Sequence, residues 1–375
     1  MLTTTWSAGM AATVELVQSV PLETSLAEPG LRSTSEVWLE MVQGANASLD
    51  IEQFYLSATP EDGIEDPVML KVDDAIGAAA KRGVRVRLLL DAGFFKTYPD
   101  DAKALAQNAN VTLKTIDVKA LTGGIQHSKF FVADGKWAFL GSPNFDWRAL
   151  DHVHEIGIRT DDAGVSSGLE AVFAKDWAQG VLVAGKDGPA PAVKLVKGSA
   201  GVDFYASPKL MNPPGVNDTL TALLVKIQGA QKSVDLQTYE YSTTLYDSAQ
   251  TWTVLQDALT AAAGRGVKVR LMLDASKVKT GGAALRTLAG TPNVEVKSVR
   301  IPAWSGGPIS YARLIHSKYM VFDGTSAWVG TENLEGSYFE TTRNVGVMFN
   351  DPKLVGELEG VFDRVWGSTY AKAVK

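Results

Sequence analysis

The chain of 375 residues is long enough for two ordinary domains, and its 45% apolar and 21% charged residues are those of a folded soluble protein. A net charge of −6 argues against a wide basic face of the kind that coats nucleic acid or anionic membrane, though not against a small basic cleft. The absence of cysteine excludes disulfides, thiolate metal sites, palmitoylation and thiol nucleophiles, and no apolar run approaches the roughly 20 residues of a membrane-spanning helix.

The opening stretch, MLTTTWSAGMAATVELV, lacks the basic and apolar regions of a signal peptide, which leaves location open with a secreted or periplasmic setting slightly favoured. EVWLEMVQGA then carries apolar residues at helical spacing and leads into the β-rich run SLDIEQFYLS at 48–57. An Ala-rich helix stops at Gly83, and the continuous apolar run VRVRLLLD follows, as in a buried parallel strand. A further helix, the strand NVTLKTI at 110–116 and an apolar run from Gln126 complete the series.

The series then recurs. AIGAAAKRGVRVRLLLDA at 75–92 matches ALTAAAGRGVKVRLMLDA at 258–275 in 13 of 18 positions, an offset of 183. SLDIEQFYLS pairs with SVDLQTYEYS at 233–242, an offset of 185, and Trp177 and Trp366 stand 189 apart. A period this long is duplication of a whole domain. Strand alternating with helix predicts an α/β fold of two duplicated lobes, each a largely parallel or mixed sheet flanked by helices. The expected boundaries are an N-terminal lobe over 1–183, a Gly-, Pro- and Ala-rich linker over 184–201 and a C-terminal lobe over 202–375.

The chemistry-bearing phrase is QHSKFFVADGKWAFLGSPNFD, from Gln126 to Asp146. A lone histidine in a strand is usually a core or surface residue, but this phrase is written twice, the second time as IHSKYMVFDGTSAWVGTENLE from Ile315 to Glu335. Both copies place His, Lys and Asp at i, i+2 and i+7, followed after six residues by Gly, Ser or Thr, any residue, and Asn. On a strand, His127 and Lys129 share one face, and Asn144 comes from a turn of small residues where backbone can approach a ligand. Apposing the copies gathers His127, His316, Lys129, Lys318, Asn144 and Asn333 into a symmetric pocket for a phosphodiester anion, complete within one chain. One neutral imidazole would attack phosphorus and the other, protonated, would protonate the departing alkoxide and later activate water. An imidazole suits both tasks because its ordinary pKa of about 6.5 lies near working pH. The lysines and asparagines would stabilise the equatorial oxygens, so no metal and no cofactor is expected.

This doubled His-x-Lys-x4-Asp pattern, with its Gly-Ser/Thr-x-Asn turn, is similar to the signature of the phospholipase D superfamily. The resemblance spans roughly Ser33 to Trp366 and implies a bilobal α/β sandwich with the active site at a pseudo-twofold interface. It also implies that Asp134 and Asp323 lie off the phosphate in support, with Ser142 and Thr331 beside the asparagines. STSEVWLEMVQGANASLDIEQFY, GSPNFDWRAL, ISYARLIHSKYMV and GTENLEGSYFET further resemble the lysosomal exonuclease branch, which removes nucleotides from the 5′ end of single-stranded DNA and RNA. The chain departs from that branch in showing no anchor segment, having no cysteine and keeping Asp323, which suggests a bacterial-type relative. Hydrolysis or transphosphatidylation of phospholipid head groups is the alternative, and a non-catalytic binding protein is a third reading that the two intact His-Lys pairs disfavour.

Glu155 follows Asn144 by eleven residues, and Asn344 stands at the same offset from Asn333. In the family, a Glu there hydrogen-bonds the catalytic histidine. The expectation is therefore that Glu155 orients His127 as nucleophile, while His316, facing Asn344, is the general acid. His152 and His154 are read as ordinary polar positions, since His-x-His without a distant third ligand is a weak metal signal. Among the many aromatic residues, Phe94, Phe95, Trp147, Tyr239 and Tyr311 are the candidates for substrate contact, and Phe54, Tyr55, Tyr241 and Tyr338 accompany them. At least half of these nine are expected to be core.

Overall fold

The computed structural model describes residues 12–60, 64, 67–246, 248 and 250–374. Residues 1–11 of the stretch read for a leader lie outside them. Each lobe is built on one mixed sheet, and the two sheets have the same strand order. In the first, Val181–Ala184, Val111–Ile116, Arg85–Asp91, Ser48–Gln53, Phe130–Ala133, Trp137–Gly141, Val153–Thr160, Val14–Ser19 and Arg32–Ser33 lie side by side. In the second, the order is Ala371–Ala373, Val294–Val299, Lys268–Asp274, Ser233–Thr238, Tyr319–Phe322, Ser326–Gly330, Asn344–Phe349, Val202–Ser207 and Asn217–Asp218.

The strands joined by helical crossovers run parallel, Ser48–Gln53, Arg85–Asp91 and Val111–Ile116 in the first lobe and their equivalents in the second, and so do the short edge pairs Val14–Ser19 with Arg32–Ser33 and Val202–Ser207 with Asn217–Asp218. The reversal comes at the Asp-Gly pairs. Asp134 (φ 55°) and Gly135 (φ 64°) both take the left-handed conformation that a tight hairpin requires, as do Asp323 (55°) and Gly324 (66°). The strands after them are therefore antiparallel.

Three apolar cores separate the layers. One lies outside each sheet, and the third lies between the sheets, where helices Ala163–Gln179 and Pro352–Gly367 pack with residues of both lobes. Asp162 and Asp351 cap these helices by accepting from backbone N–H groups of the first turn. The close approach of the lobes needs glycine at Gly168, where a Cβ would stand 2.3 Å from the Phe204 ring. The stretch read as a linker is laid along the first lobe, with Lys114 paired to Asp187 at 2.8 Å and the Ser199 N–H donating to Asp162. Among the described residues no helix is long and apolar enough to cross a membrane.

Candidate active site

Each histidine reaches the cleft on a segment that leaves its own lobe and lies against the other. After helix Val118–Thr122 the first segment passes so near the second lobe that a Cβ on Gly124 would stand 2.3 Å from the Thr341 carbonyl oxygen. The Arg343 N–H donates to the Ile125 carbonyl, and the His127 N–H donates to the Arg343 carbonyl, both at 2.9 Å. The second segment does the reverse. Leu314–Ile315 runs parallel to Val153–His154 of the first lobe, and the His316 N–H donates to the His154 carbonyl at 2.9 Å. His127 and Lys129 are therefore in an extended stretch that precedes the strand, which begins only at Phe130.

Two aspartates that the sequence reading passed over fix where these segments start. Asp91 Oδ2 accepts the Gln126 N–H at 2.9 Å, and Asp274 Oδ2 accepts the Ile315 N–H at 3.1 Å. Each ends the middle one of its lobe's three parallel strands, and the repeated LLLDA and LMLDA were the signal for both.

The crossing of segments overturns the expected histidine partners. Glu155 Oε1 lies 2.8 Å from Nδ1 of His316, not of His127, and Asn344 Oδ1 lies 3.0 Å from Nδ1 of His127, not of His316. The strand that carries Glu155 receives the second lobe's segment, so the carboxylate meets the histidine of the opposite lobe. Asn344 is held in orientation: its amide donates to the Tyr338 carbonyl at 2.8 Å, and its Oδ1 accepts from Thr331 Oγ1 at 2.9 Å. The acceptor Oδ1 makes His127 a donor at Nδ1. Ser142, equivalent to Thr331, exchanges hydrogen bonds with the Ile156 backbone beside Glu155, as Thr331 does with the Val345 backbone.

Lys129 and Lys318 are buried, and each ammonium donates back to the carbonyl of its own histidine, at 2.5 Å for Lys129. Asn144 and Asn333 line the cleft with buried carboxamide oxygens that no protein group satisfies. Asp134 and Asp323 lie away from the cleft. Asp134 accepts from the N–H groups of Asn46, Ala47 and Ser48, and Asp323 from those of Gln231, Lys232 and Ser233, which ties each hairpin to the neighbouring strand.

Burial and two cations in one small space set the electrostatics. Burial, then the nearby Lys129 and Lys318, holds His127 well below its usual value, and burial with the same two lysines does so for His316. Burial also lowers Lys318 to about 7 against the pull of Glu155, and pushes Glu155 up to about 7 against the pull of Lys318 and Lys129. Two buried lysines beside a single carboxylate make such a site suited to an anion.

The cleft has a volume of about 440 Å³, and both histidines, both asparagines and Glu155 line it. Phe94, Tyr239 and Tyr311 line it too, as do Phe54, Tyr55 and Tyr338. Phe95 and Trp147 do not: Phe95 packs on the first lobe's outer core under Lys103, and Trp147 is buried in that core with its ring against His152. Tyr241 is fully buried. Two further cleft residues, Asp146 and Arg148, were not among the expected site residues although both fall within GSPNFDWRAL. Arg148 clasps Asp146 at 2.6 Å, and Asp146 accepts the Tyr55 hydroxyl at 2.7 Å. His152 and His154 are buried at the lobe junction rather than at ordinary polar positions, His152 between Trp147 and Trp304 and His154 against Ser317. Among the described residues no group of three side chains able to hold a metal ion is present.

Comparison with known proteins bears on the family and the fold. The family described as cardiolipin synthase, phospholipase D-like domain, matches residues 38–177 and again 223–366. A 5′-3′ exonuclease PLD3 of Macaca fascicularis is 31% identical over 95% of this chain and 79% of its own length. A probable phospholipase D of Caenorhabditis elegans is 29% identical over 95% of this chain and 70% of its own. Phosphatidylserine synthase of Haemophilus influenzae has the same fold, with a TM-score of 0.68 over 96% of this chain and 87% of that one at 12% identity.

Proposed function

The chain belongs to the phospholipase D-like family and is a phosphodiesterase of that superfamily, and on this premise we propose that it hydrolyses single-stranded nucleic acid from the 5′ end through a phosphohistidine on His316. The observation that carries the assignment of roles is the unequal pair of histidine partners, Glu155 on His316 and Asn344 on His127. An ionised Glu155 accepts the Nδ1–H of His316 and leaves the Nε2 lone pair free for phosphorus. As the Nε2–P bond forms, the P–O5′ bond breaks, and protonated His127 gives its Nε2 proton to the departing 5′ oxygen. Glu155 also stabilises the cationic phosphoimidazole. Neutral His127 then takes a proton from water, whose oxygen attacks phosphorus and releases His316 and a 3′-phosphorylated nucleotide. Lys129, Lys318, Asn144 and Asn333 hold the equatorial oxygens while phosphorus is five-coordinate.

The choice of nucleic acid rests on the aromatic lining of the cleft and on the relatives named 5′-3′ exonuclease at about 30% identity. The test is a side-by-side assay of a 5′-hydroxyl single-stranded oligonucleotide, the same sequence as blunt duplex, and phosphatidylcholine. Shortening of the single strand from its 5′ end, with 3′-phosphorylated mononucleotides released and the duplex cut far more slowly, is expected. Turnover of phosphatidylcholine with no cleavage of either nucleic acid would move the assignment to phospholipid.

A further inference from the structure

Duplication gives the two flanks of the cleft equivalent backbones, so differences between equivalent positions show what each flank is for. Phe54 corresponds to Tyr239, Tyr55 to Glu240 and Phe94 to Lys277. On the His127 flank these positions make a continuous aromatic wall. Phe54 meets the His127 ring edge-on at 5.1 Å, Phe94 lies 3.9 Å from Phe54, and Tyr55 stacks on Phe94 at 5.7 Å and on Tyr98 at 4.9 Å. The wall is held rigidly from behind, because Asp146 anchors the Tyr55 hydroxyl and Asp91 accepts the Phe94 N–H at 3.0 Å. Phe94 keeps an open face, with 36% of its surface exposed. On the His316 flank the same positions are spent on an ion pair, Lys277 with Glu240 at 3.1 Å, that lies behind Tyr239, and neither charged residue lines the cleft.

We propose that the substrate lies across the cleft with one polarity, the base of the leaving nucleotide stacked on the Phe54–Phe94–Tyr98 wall and the retained nucleotide on the His316 flank. This rests on the nucleic-acid reading above and on His127 as proton donor. In an in-line displacement the leaving oxygen faces the proton donor, so the nucleotide attached to it extends past His127, where the wall begins. A flat apolar surface fixed in advance takes any base by its π-face and loses little entropy on binding, which selects for a base without selecting which one. For removal of nucleotides from the 5′ end, the leaving nucleotide is the second. Its base, rather than that of the terminal nucleotide, is the one this enzyme grips.

The experiment uses the full chain and three 5′-hydroxyl single-stranded oligonucleotides: one intact, one with a base-free tetrahydrofuran residue first, one with it second. The reading is the ratio of first-bond cleavage rates, intact over base-free, at subsaturating substrate. Removing the second base should slow the wild-type enzyme on the order of tenfold or more, and removing the first base should slow it less. Phe94→Ala should lose most of its sensitivity to the second base, and Phe94→Leu, which keeps apolar bulk without the ring, should be intermediate. Greater sensitivity to the first base, diminished by Phe94→Ala, would put the wall under the retained nucleotide and overturn the proposal. Equal cleavage of all three would overturn it as well, while leaving the nuclease reading intact. Cleavage of none, with turnover of phospholipid, would instead remove the nuclease reading on which it stands.

Discussion

Glu155 and His316 are 161 residues apart in sequence and 2.8 Å apart in space, and the proposed choice of nucleophile rests on that contact. Both residues could be picked out in the sequence, the histidine by its repeated phrase and the glutamate by its offset from Asn144. Their pairing was not legible, because offset within a lobe says nothing about which lobe's segment will lie against the strand. The aromatic residues show the same limit: Phe94 and Phe95 are neighbours of one type, and only the turn of a four-residue helix sends one to the cleft and the other to the core. Glu155→Gln keeps the shape but removes the charge that favours His316 as a donor at Nδ1 and stabilises its phosphorylated form. Turnover should fall on the order of a hundredfold or more, for the aryl diester bis(p-nitrophenyl) phosphate as well as for the oligonucleotide. Steady-state kinetics of both substrates measure this, and full activity on the aryl ester would contradict it.

The same residues dictate a pH effect. Cleavage of an unactivated diester needs His127 protonated, and burial with Lys129 and Lys318 holds its pKa well below the usual value, so activity is lost as pH rises through that lowered value. An aryl diester needs no proton, and its alkaline limb should follow the loss of charge on Lys318, near 7. Profiles of kcat/KM should therefore place the optimum at lower pH for the oligonucleotide than for the aryl diester. Superimposable profiles would contradict the proton-donor role.

At the scale of elements, the alternation of helix and strand and the buried strands were readable, because apolar runs such as Leu88–Leu90 and Phe130–Ala133, each ending at an Asp, leave few alternatives. What could not be read was that the histidine segments pair with the opposite sheet. The hydrogen bonds that place them are made by backbone, and any residue type supplies those. Asp91 and Asp274 are the exceptions, side chains that hold the two segments directly. Asp274→Ala leaves the buried Ile315 N–H and the turn at Ser276 without an acceptor. It should cost about 1–3 kcal/mol of stability and lower turnover at least tenfold by loosening His316. Denaturant unfolding together with kcat checks this, and a stable, fully active variant would show that the segment is placed by its strand pairing alone.

At the scale of the whole molecule, the lobes are locked by one buried cluster. Arg343 of the second lobe grips Asp176 of the first at 2.6 and 3.0 Å and donates to carbonyls of Ser207 and Met211. Glu52 sits beside Asp176 and accepts from Ser128 at 2.7 Å and Gln126 at 3.0 Å, on either side of His127. Duplication was plain from the repeat, but this lock was invisible, since the second lobe has Gln237 where the first has Glu52, Val365 where it has Asp176, and His154 where the lock has Arg343. Burial, with Asp176 adding to it, raises the Glu52 pKa above its usual 4.5. A raised pKa adds stability that is complete below about 4.5 and is lost as pH climbs toward the raised value. Glu52→Gln should therefore flatten the decline in unfolding free energy above pH 5, and Arg343→Met, which strands Asp176, should cost roughly 3–5 kcal/mol. Unfolding titrations across pH measure both, and parallel slopes for wild type and Glu52→Gln would contradict the raised Glu52 pKa.

Chemistry and architecture meet in the phosphorylated histidine. His127→Ala, given bis(p-nitrophenyl) phosphate, keeps its nucleophile and a leaving group that needs no proton, but lacks the base for hydrolysis. Acid-labile phosphate trapped by rapid quench and mapped by peptide mass spectrometry should therefore sit on His316 in this variant, with a burst of p-nitrophenolate, while His316→Ala should give neither. Phosphate on His127, formed in a burst by His316→Ala, would contradict the account and return Glu155 to a purely structural role.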